Sequence, residues 1–171
     1  MDFKKTSFKI SIIGLGYVGL PLAVEFAKKY ETIGFDIDSK RIEELNSFFD
    51  NTEEVEKSVL KKIVNRNNII FSSDLKDIED SNIYIVSVPT PVDKHNHPDF
   101  SPLINASKTV STVLKKNDIV IYESTVYPGA TEEICMPVLE EKSDLIYNKD
   151  FFIGYSPERI NPGDKVHSLT N

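Results

Sequence analysis

Phe8-Lys9-Ile10-Ser11-Ile12-Ile13-Gly14-Leu15-Gly16-Tyr17-Val18-Gly19 is a β-branched run that breaks into three glycines, and its reading decides the fold. Residues 8–13 predict a strand that stops where the glycines begin. From Tyr17 to Lys29, Val18, Leu22, Ala23, Phe26 and Ala27 recur at helical spacing with polar residues opposite, and Pro21 falls in the first turn, where a missing N–H costs little. A G-x-G-x-x-G pattern means little alone, because glycine triples are common. Between a strand and a helix it has a mechanical reading. Gly14 permits the tight turn, Gly16 lets a pyrophosphate approach the backbone, and Gly19 lets helix and strand pack closely. The helix N-terminus then offers unpaired N–H groups and the positive end of its dipole.

Working outward, Thr32 to Phe35 predicts a second strand that ends at Asp36, 17 residues after Gly19. A carboxylate there accepts the ribose hydroxyls of an adenosine and repels a 2′-phosphate, so NAD is expected over NADP. The plainer alternative makes Asp36 a turn residue and Asp38-Ser39 a helix cap, with Ser39 the expected N-cap. Arg41, five residues on, lies over the adenosine end of a cofactor or on the helix surface; spacing does not choose.

The pattern then repeats. Helices are expected from Ser39 through Leu45, from about Glu54 to Val64, from Pro102 to Leu114 and from Ala130 to Glu141. Strands are expected at Ile69–Phe71, Ile83–Val88, Ile119–Tyr122 and Phe151–Ile153. The fourth is nearly all apolar, as a strand buried on both faces is. Alternation of this kind implies right-handed βαβ units and an α/β, doubly wound parallel sheet of the Rossmann type. Six strands suit the order 3-2-1-4-5-6, with ligands at the carboxyl ends near the switch between strands 1 and 4. Residues 1–160 make that domain, and 161–171 read as the start of a connection onward.

With 171 residues the chain suits one packed domain, and its 40% hydrophobic and 27% charged composition is that of a soluble globular protein. A net charge of −7 with scattered basic residues argues against a general nucleic-acid binder. The single cysteine, Cys135, excludes an intrachain disulfide, and neither an apolar leader nor a membrane-length apolar run is present. A cytoplasmic setting is expected. Cys135 lies between Ile134 and Met136 in an expected helix and reads as a buried structural thiol. His95-Asn96-His97, beside Asp93 and Asp99, has no element to set ligand geometry and reads as a solvated loop, so no metal is expected.

Two further loops open on the same sheet edge. Val88-Pro89-Thr90-Pro91 is stiffened by its prolines and suits a wall against a flat ring. Ser124 and Thr125, in Ser124-Thr125-Val126-Tyr127-Pro128-Gly129, place hydroxyls before a helix, where capping is their ordinary role. Beyond strand 6 come Ser156-Pro157-Glu158-Arg159-Ile160-Asn161-Pro162-Gly163. Glu158 and Arg159 could position water or bind an anion, or pair at the surface.

Taken together, Gly14-Leu15-Gly16-Tyr17-Val18-Gly19-Leu20-Pro21, Asp36-Ile37-Asp38 with Arg41, Val88-Pro89-Thr90-Pro91, Ser124 to Gly129 and Ser156-Pro157-Glu158-Arg159 resemble the UDP-glucose/GDP-mannose dehydrogenase family. Five motifs in one order cover nearly the whole chain. The last resembles the branch acting on UDP-N-acetylhexosamines for capsule and O-antigen polysaccharides. The UDP-glucose branch has a second glutamate four positions after the first, where this chain has Pro162.

The resemblance implies oxidation of the sugar C6 alcohol to a carboxylate in two NAD-dependent steps, through a cysteine-bound thiohemiacetal and thioester. It implies NAD contacts from the Gly14–Gly19 turn including Leu15, Tyr17 and Val18, and from Asp36, Arg41, Pro89, Thr90, Pro91, Ser124 and Thr125. Glu158, with Thr125, would serve catalysis, Glu158 by holding the hydrolytic water. Glu158, Arg159, Ile160 and Asn161 would line the UDP-sugar site. The family's lysine and nucleophilic cysteine come later, after residue 171, so this stretch alone is expected to be inactive, and the whole protein to be a homodimer or larger. UDP-glucose or GDP-mannose oxidation, a dehydrogenase of the hydroxyacid type, and a non-catalytic NAD-sensing module are the alternatives.

Overall fold

The computed structural model describes residues 7–157 except 93 and 96. Its six strands are β1 (Lys9–Ile13), β2 (Glu31–Phe35), β3 (Ile69–Ser72), β4 (Ile83–Val86), β5 (Ile119–Tyr122) and β6 (Phe152–Tyr155). They form one all-parallel sheet in the order β3-β2-β1-β4-β5-β6, as alternation predicts. The helices are α1 (Gly19–Phe26), α2 (Ser39–Asn46), α3 (Lys57–Val64), α4 (Ser101–Ser111) and α5 (Met136–Ser143), with a short 3-10 turn at Leu75–Ile78. No helix of the described residues is long and apolar enough to cross a membrane.

Each sheet face carries its own core. Ile10, Ile12 and Ile85 face α1, α2 and α3 through Leu20, Ala23, Leu45 and Leu60. Ile13, Ile33, Tyr84, Val86 and Tyr122 face α4 and α5 through Leu103, Val110 and Leu139. Adjacent residues of β4 thus enter opposite cores, which is why its sequence does not alternate. Burying each large side chain contributes about 1.5–3 kcal/mol.

Several boundaries differ from the sequence expectation. Asp38, not Ser39, caps α2, its carboxylate accepting the Lys40 N–H at 2.9 Å. The helix expected over Ala130–Glu141 begins instead as a π-helical turn, Thr131–Cys135, before α5. Pro137 lacks an N–H and crowds the preceding turn, so the backbone widens there. The strand expected to reach Val88 stops at Val86, and the next two residues turn onto the glycine loop. Residues 161–171, expected to start a connection, lie outside the described residues.

Candidate functional site

The carboxyl ends of β1, β2, β4 and β5 share one edge of the sheet, where β1 and β4 mark the switch in strand order. There the three glycines are required for three different reasons. Gly14 has φ +95°, open to glycine but costly for a side chain. At Gly16 an added Cβ would meet nothing within 4 Å. At Gly19 it would lie 1.9 Å from the Gly14 carbonyl oxygen and 2.4 Å from the Ser87 hydroxyl. Gly14 thus makes a turn closed to side chains, Gly19 a close contact between turn and helix, and Gly16 leaves open space beside the backbone.

Polar atoms at the start of the turn are committed to the protein. The Gly14 N–H donates to the Phe35 carbonyl at 2.9 Å, and the Gly14 carbonyl accepts the Ser87 hydroxyl at 2.9 Å. The Leu15 N–H donates to an Asp36 carboxylate oxygen at 2.8 Å, and the other oxygen accepts the Asp38 N–H at 3.0 Å. A carboxylate accepts about four hydrogen bonds, so Asp36 keeps capacity for ribose hydroxyls. The N–H groups of Gly16, Tyr17 and Val18 have no partner among the described residues. These are the donors a diphosphate needs.

Arg41 is not on the helix surface. Its side chain is 7% exposed and lies beneath the turn, with Nε donating to the Leu15 carbonyl at 2.9 Å. Its terminal nitrogens donate to Asn51 Oδ1 at 2.9 Å and Asp50 Oδ1 at 2.7 Å. Burial pushes the Asp50 carboxyl up. Hydrogen bonds from Thr52, Arg41 and Val55 outweigh it and hold the group below its ordinary value.

Two lobes of one groove flank the turn. The first, about 490 Å³, lies between Asp36-Ile37 and one face of α4 carrying Pro102, Asn105, Ala106 and Thr109. The second, about 610 Å³, lies between Tyr17-Val18 and the loops after β4 and β5. Gly16, Ser87, Val88 and Pro89 line both. Each lobe has the volume of a small-ligand pocket, and together they suit an elongated ligand whose middle crosses the glycine turn.

Hydroxyls strap the second lobe together. Ser124 donates to the Val88 carbonyl at 2.9 Å and Thr90 to the Thr125 carbonyl at 2.6 Å. Ser124 therefore joins two loops rather than taking the ordinary alternative of capping a helix. The Thr125 hydroxyl is exposed at the lobe and has no partner among the described residues. Pro91 lines the same lobe, and the Phe100 and Tyr127 rings, edge to face at 5.8 Å, join its two sides.

Ser87, Asn105 and Thr109 were not legible as site residues, because in sequence Ser87 is part of an apolar strand and the others carry no motif; Ile37, quoted within a motif, was given no role of its own. Glu158, Arg159, Ile160 and Asn161 lie outside the described residues, as do Asp93 and Asn96. Among the described residues no group of three or more His, Cys, Asp and Glu could hold a metal. Cys135 is buried, as expected, beneath α4, and burial pushes its thiol up to about 11.

The sequence profile of the UDP-glucose/GDP-mannose dehydrogenase family, NAD binding domain, matches residues 8–171. A UDP-N-acetyl-D-glucosamine 6-dehydrogenase of Pseudomonas aeruginosa is 56% identical over 163 residues, covering 95% of this chain and 38% of its own. Protein CapL of Staphylococcus aureus is 56% identical over 160 residues, covering 94% and 37%. The solved UDP-D-ManNAc dehydrogenase of Pyrococcus horikoshii superposes with a TM-score of 0.84 at 35% identity, covering 91% of this chain and 37% of that one. The chain thus spans little more than a third of the length of these relatives.

Proposed function

The chain belongs to the UDP-glucose/GDP-mannose dehydrogenase family and forms its NAD-binding domain, and from that premise we propose that the whole protein oxidises C6 of a UDP-N-acetylhexosamine to the acid, using two NAD. The carrying observation is the groove. Its unpaired N–H row lies between a lobe edged by Asp36 and a lobe edged by Thr125.

The fit to NAD is specific. Gly16 leaves open the space a Cβ would fill, and Asp36 retains lone pairs for the adenosine ribose. We assign the Gly16–Val18 N–H groups to the pyrophosphate, with Gly14, Leu15 and Gly19 shaping the turn. Pro89, Thr90, Pro91, Ser124 and Thr125 enclose the nicotinamide end. When bound, NAD supplies the hydride acceptor. The chain's own residues would orient it and exclude water, with the Thr125 hydroxyl on the wall of the nicotinamide lobe.

Glu158, with Arg159, Ile160 and Asn161, is assigned to the substrate side, Glu158 holding the water that releases the acid. The 56% identity to a UDP-N-acetyl-D-glucosamine 6-dehydrogenase and to Protein CapL supports the N-acetylhexosamine branch and capsule-type polysaccharide synthesis. The full chain is proposed to work in the cytoplasm as a homodimer or larger homo-oligomer. Incubating it with UDP-N-acetylglucosamine, UDP-N-acetylgalactosamine, UDP-glucose and GDP-mannose tests the assignment. Two NADH per UDP-N-acetylhexosamine are expected, and faster turnover of UDP-glucose or GDP-mannose would overturn the branch assignment.

A further inference from the structure

We propose that Asp50 is a positioning residue for the diphosphate: through Arg41 it fixes the Leu15–Gly16 peptide so that the Gly16 N–H faces the groove. The inference rests on the reading that this groove takes NAD. All described peptides are trans, so the carbonyl of one residue and the N–H of the next point in opposite directions. Arg41 Nε holds the Leu15 carbonyl from beneath the turn at 2.9 Å. The Gly16 N–H must then point the other way, away from Arg41; it has no partner among the described residues, and Gly16 lines both lobes of the groove. Rotating that peptide would lose the Arg41 bond and turn a carbonyl oxygen onto the phosphates.

Arg41 can hold the carbonyl because its own position is over-determined. Nη2 meets Asp50 Oδ1 at 2.7 Å and Nη1 meets Asn51 Oδ1 at 2.9 Å. Asp50, its side chain only 1% exposed, is held in turn by Thr52, whose N–H and hydroxyl donate to Oδ1, and by the Glu54 and Val55 N–H groups on Oδ2. A buried Glu44 oxygen 3.8 Å from Nη1 adds a second negative charge beside the guanidinium. Three of Arg41's five N–H donors are committed to the protein and its charge is matched by these acids, so its hold on the Leu15 carbonyl is fixed. The segment after α2 thereby reaches the phosphate site without touching it.

The test separates aiming of the diphosphate donor from general support of the fold. Dissociation constants for NAD, ADP and adenosine are measured by calorimetry on the full chain carrying Asp50→Asn, Arg41→Lys or Asn51→Ala. Asp50→Asn and Arg41→Lys are expected to weaken NAD and ADP roughly tenfold while leaving adenosine, which has no phosphate, unchanged. Asn51→Ala removes only an exposed acceptor, so it keeps the fold even if the other two unfold. Its expected effect is a smaller loss with the same selectivity, about two- to threefold. Equal losses for all three ligands would overturn the proposal, since they would mean a general structural role. Unchanged NAD affinity in Arg41→Lys would overturn it too, because charge alone would then suffice. Absence of NAD binding by the unsubstituted chain would overturn the groove assignment itself, and this inference with it.

Discussion

A Cβ on Gly19 would lie 1.9 Å from the Gly14 carbonyl oxygen, so the first and last glycines of the turn are in contact through space a methyl group cannot share. Gly19→Ala must therefore push the turn away from α1 or from the Ser87 hydroxyl. We expect a loss of about 3 kcal/mol and a melting temperature lower by about 10 °C. Gly16→Ala is the contrasting case, because its Cβ enters open space. Its stability should stay within about 0.5 kcal/mol of the parent, while NAD affinity falls at least roughly tenfold. Thermal melts and NAD titrations of the two variants distinguish these outcomes, and a stable Gly19→Ala would contradict the contact.

Asp36 serves two ends at once, anchoring the Leu15 N–H and facing the lobe beside Ile37. Asp36→Asn keeps an oxygen for the Leu15 N–H but removes the charge. NAD should bind roughly tenfold more weakly and its advantage over NADP should shrink. Calorimetry with both cofactors checks this. An unaltered NAD-to-NADP ratio would remove Asp36 from cofactor selection.

Asp118, before β5, is buried, and that burial raises its carboxyl to about 6 despite a hydrogen bond from the Lys115 N–H. The unfolded chain releases this proton near pH 4, so the folded state binds the extra proton between about pH 4 and 6. This group's contribution to stability therefore falls as pH rises through that window and is least favourable above it. Asp118→Asn should flatten that part of the stability profile and stabilise the fold at pH 7 by about 1–3 kcal/mol. Denaturant melts at pH 4.5 and 7 test it; a lower stability of the variant at pH 7 would show that the charge is needed.

Cys135 contacts Ser107 and Tyr122 inside the core, and its raised thiol leaves little thiolate at neutral pH. Iodoacetamide at pH 8 should leave the native chain unlabelled and react only after unfolding. Cys135→Ala should leave NAD affinity unchanged. Labelling at native stability would mean that the α5 region opens locally.

Much of this was legible because the decisive signals are local. The run from Phe8 to Gly19 contains strand, turn and helix in one stretch, and alternating elements prescribe a parallel sheet whose order the structure shows. Asp36 is legible for the same reason, since a strand end is a sequence feature. Arg41 was legible as a residue of interest but not in its placement. Its partner Asp50 lies nine positions away in an irregular segment, beyond any periodic signal. Ser87 is hidden because it lies inside the nearly all-apolar run Ile83–Val88, and only folding shows its hydroxyl on Gly14. The π-helical turn is not legible because widening of a turn before a proline leaves the helical spacing over Ala130–Glu141 unchanged.

The commitment of the Gly14 and Leu15 backbone atoms to fixed protein partners has a kinetic corollary. A turn held by Phe35, Ser87, Asp36 and Arg41 is fixed by the protein's own hydrogen bonds before any ligand arrives, so cofactor arrival is expected to require no reordering of this loop. Entry is then governed by encounter with a ready surface, and residence time by how fast the contacts made there are released. On the proposed two-step oxidation, in which spent cofactor is exchanged for fresh midway, a docking point without a refolding delay would shorten the interval in which a half-oxidised sugar waits.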